Sequence, residues 1–219
     1  MNIHQIYSKY SIPPNLKTHM LSTAALAKII INSWVDAENQ VDYERVILSC
    51  LLHDMGNIIK FKFQNLDPQS ELINELDHWK KVQKEFKEKY GDDEENATFQ
   101  IVEEISIPNS VVKLLHDKEI YHENDLQKFD NEINICRYVD SVIAPDGIVS
   151  LAEKIKYSEI RYGNIPGTRV ASDLWPLIVE FLYKIEEIIQ KNTIIDITQI
   201  TQEELTQHFQ ELLEFEIYG

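Results

Sequence analysis

The sequence predicts an all-α fold, a bundle of helices, on three observations. Apolar residues recur at helical spacing along most of the chain. Proline, glycine and capping residues punctuate these stretches where helices should begin and end. The one strand-like run, Thr193 to Ile197, is too short to build a sheet of its own.

Taken in order, Pro13-Pro14-Asn15 makes a break, and Leu16 to Trp34 follows with Leu16, Met20, Leu26, Ala27, Ile30, Ile31 and Trp34 near one helical stripe. Asp42 is placed to cap a second helix that runs to about Asp54. That helix is apolar almost all round (Val46, Ile47, Leu48, Cys50, Leu51, Leu52), the pattern of a central, buried helix. Gly56 is expected to close it as a C-terminal cap. A polar loop around Asp67-Pro68 leads to a third helix from about Leu76 to Tyr90, stopped by Gly91. Asp92 to Glu95 suits the positive first turn of the next helix. Pro108-Asn109 separates that helix from a short one, Ser110 to Asp117. Asp125 to Ala144 reads as a long helix ended by Pro145-Asp146-Gly147. A helix to about Tyr162, the loop Gly163 to Gly167 and an amphipathic helix from Asp173 to Lys191 follow, with Pro176 in the tolerated first turn. Thr201-x-x-Glu204 is a capping box opening the last helix.

The 219 residues suffice for a real core, and 43% hydrophobic with 26% charged residues is ordinary for a globular protein. A net charge of −16 repels phosphate backbones, so extended nucleic acid is not an expected partner. A small anionic ligand is compatible with that charge, because a metal and a few cations reverse the field inside one cleft. Cys50 and Cys136 both lie in apolar stretches and read as reduced core residues. With no visible signal peptide and no apolar stretch near the roughly 18 residues of a membrane span, a cytoplasmic protein is expected.

The chemistry concentrates at His53-Asp54, which ends the most apolar helix. Burying either group is costly unless it is paired, hydrogen-bonded or bound to a metal. Adjacent helical residues diverge by about 100°, yet both can meet one ion lying beyond the helix end, where the dipole favours a cation. His19 points inward with Leu16, Thr23 and Leu26. Asp140 shares a face with Ile133, Cys136, Arg137 and Ala144. Histidines with carboxylates make a mixed nitrogen and oxygen set suited to Mn, Fe, Co, Ni, Zn or Mg.

The ordered set His19, His53-Asp54 and Asp140, with the words Leu51-Leu-His-Asp-Met-Gly56 and Arg137-Tyr-Val-Asp-Ser141, resembles the HD-domain superfamily of metal-dependent phosphohydrolases over roughly residues 10–150. The resemblance implies an HD-like helical domain over 1–150, with 151–219 a C-terminal helical extension packed on it. It also implies a divalent transition metal on those four residues. A second ion would be held through His78 and His116, with Asp54 bridging. The implied reaction is hydrolysis of a nucleotide or other small phosphorylated metabolite, with Asp54 orienting the water and Lys60 and Arg137 as catalytic cations. Lys113, Arg161 and Arg169 are further candidate phosphate contacts. Asn57 stands where many members carry a lysine, and Lys60 and Lys62 follow it. The same residues also fit a di-iron oxygenase-like protein or a non-catalytic module that binds a nucleotide or a partner. The C-terminal amphipathic helices suit a homodimer interface as well as a cover for the core.

Overall fold

The computed structural model describes residues 1–36, 40–65, 70–128 and 130–217. Among them the all-α expectation holds. The only sheet is a two-residue hairpin, Ile143–Ala144 (β1) paired antiparallel with Gly147–Ile148 (β2). The polar loop expected at Asp67-Pro68 lies outside the described residues.

Helix α1 (Ile3–Lys9), which the sequence pattern does not announce, is opened by a capping box between Asn2 and Gln5. Helix α2 (Pro14–Asn32) begins with Pro14 in its first turn and buries Ser22 to Ala27 on every side. The small residues there (Ser22, Ala24, Ala25, Ala27) let α3 (Tyr43–Leu52) pack closely against it. Helix α3 is capped by Asp42, as expected, and is buried from Val46 to Leu52.

The helix stops at Leu52, so His53 and Asp54 sit in the turn beyond it rather than on its last turn. The exposed carbonyls of that end are taken. The Tyr7 hydroxyl donates to Leu51 O at 2.7 Å, and His53 Nδ1 donates to Cys50 O at 2.8 Å. Gly56 is not the left-handed cap expected of it. Its φ of −89° is open to any residue. Glycine is required there for space: an added Cβ would land inside the Glu94 carbonyl oxygen and 2.8 Å from both Ala97 Cβ and Thr98 N. Gly56 N also donates to Thr98 Oγ1 at 2.9 Å. The turn is thus pressed against α5 (Glu94–Ile105), which is capped by Asp93. The short 3-10 turn Asn57–Lys60 then buries Ile58 and Ile59, and Gln83 of α4 (Leu76–Tyr90) donates to the Ile58 and Phe61 carbonyls.

Helix α6 (Asn109–Asp117) follows. The long helix expected from Asp125 starts later, as α7 (Asn131–Val142), with Asp130 as its cap. Asp125 is used otherwise, accepting from the Tyr121 and His122 amides at 3.0 Å and closing its own 3-10 turn. At its other end α7 passes into the hairpin, where Gly147 takes φ 122°. The remaining helices are α8 (Leu151–Tyr162), α9 (Trp175–Lys191), α10 (Gln202–Thr206) and α11 (Phe209–Leu213). The expected last helix is thus two short ones, opened by the Thr201/Glu204 capping box. Thr193 makes only an isolated bridge to Trp34, so the strand-like run does not extend into a sheet.

One core spans the chain. Ile178, Phe181, Leu182, Ile185 and Ile189 of α9, with Leu205 and Leu212, join the same buried cluster as α2 and α3. Helix α9 packs on α7, and α10 and α11 pack on α2. Cys50 and Cys136 are buried and free, as expected. No helix among the described residues is long and apolar enough to cross a membrane.

Candidate metal centre

Three elements bring four side chains together: His19 from α2, His53 and Asp54 from the turn after α3, and Asp140 from the end of α7. His19 Nε2 lies 3.2 Å from His53 Nε2 and 3.2 Å from Asp140 Oδ1. His53 Nε2 lies 3.5 Å from Asp140 Oδ1 and 3.7 Å from Asp54 Oδ1, and His19 Nε2 is 3.6 Å from Asp54 Oδ2. These are the spacings of ligand atoms sharing one ion at about 2.1 Å from each. His19, His53 and Asp54 by themselves form a group able to hold a cation.

The tautomer of His53 supports this use. Cys50 O can only accept, so Nδ1 of His53 carries its proton and Nε2 of the neutral ring presents its lone pair to the cluster. The buried Cys50 and Cys136 line the same small pocket as His53. Burial pulls the His53 pKa down, but the Asp54 and Asp140 carboxylates outweigh it, and the net result is a rise to about 9. Burial pushes the carboxyls of Asp54 and Asp140 up, yet the facing histidines hold both below the usual range, Asp140 well below. Two carboxylates turned toward two ring nitrogens make a place for positive charge, which a proton fills in part and a divalent ion fills better.

The site is more open toward Asp140 than behind His53. The His53 side chain is 3% exposed and that of Asp140 is 38% exposed. Asp140 borders a cavity of about 240 Å³ between the segment after α6, α7, α8 and α9. The helices after residue 150 do more than join the core; α8, the turn at Arg169 and α9 form most of the cavity wall. Lys118 stands at the junction, its Nζ 2.6 Å from Glu119 Oε1 and 3.7 Å from Asp140 Oδ2. Burial works against its charge, but Glu119, Asp140 and Asp54 raise its pKa above the ordinary lysine value. Lys154 lines the same cavity. Sequence reasoning missed both lysines. Lys118 follows directly on His116-Asp117 and so lay next to a residue already singled out, but its direction is set by the loop after α6.

The other expected residues fall elsewhere. His78 is exposed on α4, edge-on to Trp79, and His116 is exposed and stacked on Phe99 with centroids 3.6 Å apart. Neither ring belongs to the cation-holding group found among the described residues, which consists of His19, His53 and Asp54. Lys60 is half-exposed, with Nζ 3.5 Å from Glu94, and its charge reaches Asp54. Asn57 is buried and its amide donates to Asp54 O at 3.1 Å, so it holds the ligand turn. Lys113 pairs with Asp117, and Arg161 with the Tyr157 hydroxyl.

Arg137 does not approach Asp140 as a free catalytic cation. It is 5% exposed. Its Nε donates to Lys118 O at 2.7 Å, and its Nη2 to the carbonyls of Asp117, Glu119 and Asp125. It clamps the loop that aims Lys118. The chain matches no protein-family model, no curated protein and no solved structure.

Proposed function

We propose that this protein is a metal-dependent phosphohydrolase of the HD type, acting on a small phosphorylated substrate. The observation that carries the reading is the convergence of His19, His53, Asp54 and Asp140 beside a cavity lined by cations, in a protein whose net charge is −16. A field reversed so locally suits a small anion and not a nucleic-acid backbone.

In this reading His19 Nε2, His53 Nε2, Asp54 and Asp140 hold one divalent transition ion. When bound, the ion supplies Lewis acidity toward a phosphoryl oxygen and toward an attacking water. The Cys50 carbonyl keeps His53 in the ligating tautomer. Asp54 has two carboxylate oxygens facing different histidines, so one can orient the attacking water. Lys118 and Lys154 face the charge that grows on the transferred phosphoryl group, and the buried Lys118 needs little reorganisation to do so. Lys60 adds positive potential near Asp54 from outside.

The test combines metal analysis of the purified protein with a phosphatase screen over nucleotides and sugar phosphates. We expect about one ion per chain, and hydrolysis that is lost in His53→Ala and Asp54→Ala while the fold is retained. Unchanged metal content in His19→Ala and Asp140→Ala would show the assigned centre to be wrong. Stoichiometric metal without turnover of any phosphoester would favour a binding module instead.

A further inference from the structure

The cavity beside Asp140 carries more positive charge than one phosphoryl group at the metal needs. Lys118, Arg137, Lys154 and Arg169 line it, against only two carboxylates, Glu119 and Asp140. Asp140 is committed to the metal centre in the reading above. Glu119 is shared between Lys118 at 2.6 Å and Arg169 at 3.2 Å. Arg137 has no carboxylate partner among its hydrogen bonds; its bonded nitrogens reach backbone carbonyls alone. Its third nitrogen, Nη1, is buried without any partner. A buried guanidinium N–H left unmatched is costly.

Lys118 lies 3.7 Å from Asp140 and so stands beside the metal centre. Arg169 sits on the 3-10 turn Arg169–Ala171, its side chain 43% exposed, on the other oxygen of the Glu119 carboxylate that Lys118 holds. Ser158 and the side chains of Ile155, Ile178 and Trp175 also line the cavity. A volume of about 240 Å³ admits a short organic skeleton.

We infer that the Arg137 and Arg169 wall of the cavity forms a second anion subsite, so that the substrate is a small phosphoester carrying another anionic group, phosphate or carboxylate, a few atoms from the scissile phosphoryl group. This rests on the hydrolase reading for the first site, but the subsite itself needs no metal. Arginine suits the role, since its planar donors match the oxygens of either group.

Two measurements test it. The metal-loaded protein is assayed on propyl phosphate, 3-phosphooxypropanoate and propane-1,3-diyl bisphosphate, which share one skeleton. We expect kcat/KM to be about tenfold to a hundredfold higher for one or both doubly anionic esters, the size of a charge-assisted hydrogen bond or two. The arm that gains more says whether the second group is carboxylate or phosphate. Arg169→Gln should collapse that ratio, whereas Lys81→Gln, at the exposed Lys81–Glu85 pair, should leave it in place. Separately, inorganic phosphate is titrated calorimetrically into metal-stripped protein. We expect saturable binding at one site, weakened at least tenfold by Arg169→Gln. Equal kcat/KM on all three esters, or phosphate binding indifferent to Arg169→Gln, overturns the subsite. Phosphate binding through Arg169 with no ester hydrolysed would sustain the subsite and overturn the hydrolase reading.

Discussion

Replacing Gly56 by alanine tests how the ligand turn is held. The backbone at Gly56, φ −89°, accepts alanine without strain, so only space is at issue. The new methyl group would overlap the Glu94 carbonyl oxygen and press on Thr98 N and Ala97 Cβ, each 2.8 Å away. Two of these three atoms are helix backbone, which cannot swing aside as a side chain does. The turn and α5 must separate by a fraction of an ångström, at about 1–3 kcal/mol for overpacking. Separation also stretches the Gly56 N to Thr98 Oγ1 bond of 2.9 Å, worth a further ~1 kcal/mol. Reduced freedom in the unfolded chain returns about 0.4–1 kcal/mol. The net loss is about 1–4 kcal/mol, or roughly 2–14 °C in Tm for a chain of this length. Asp54 lies two residues away, so the metal-induced rise in Tm should shrink as well. Melting curves of parent and Gly56→Ala, with and without added metal, read both effects. Ala97→Gly in the same chain should not restore stability, because the carbonyl contact remains. A Tm within 1 °C of the parent, or a rise, would refute the account and return Gly56 to the role of a mere turn residue.

Three further outcomes are expected. With His53 raised to about 9 from an ordinary 6.5, its contribution to metal-free stability is complete below pH 6.5 and lost as pH climbs through 9. Asp54 and Asp140 contribute above their ordinary pKa of 3.8 and lose that contribution as pH falls. Because the ion displaces the His53 proton, metal affinity should rise about tenfold per pH unit from 6.5 toward 9; calorimetric titrations giving a pH-independent affinity would contradict this. Arg137→Met should lower Tm by about 5–15 °C, since the loop of residues 117–125 loses its buried clamp at about 2–5 kcal/mol; an unchanged Tm with lost turnover would instead make Arg137 purely catalytic. Glu95 has a buried, unpartnered Oε1, and burial with the nearby Glu119 lifts its pKa to about 7. Glu95→Gln should therefore raise Tm above pH 7 and make little difference below pH 5, and denaturation across pH checks the sign.

The helices and the side chains that converge at His19, His53, Asp54 and Asp140 were legible in the sequence because both depend on local rules. Asp42, Asp93 and Thr201 cap where a short acceptor side chain precedes an apolar-periodic run. His53-Asp54 stood out because two polar groups ended a buried helix, and His19 and Asp140 because each lay on an apolar face. What the sequence left open was decided by contacts distant along the chain. Gly56 looked like a helix cap and is a spacer against α5, a distinction that only the position of Glu94 and Thr98 can make. His78 and His116 fall in the right interval of sequence, yet their helices turn them toward Trp79 and Phe99. Arg137, one turn from Asp140, was drawn instead to carbonyls between Asp117 and Asp125. Periodicity states which face of a helix is buried, not which neighbour buries it. The four converging side chains were therefore named by the sequence, while the basic cavity of Lys118, Arg137, Lys154 and Arg169 exists only because α8 and α9 pack back against α7.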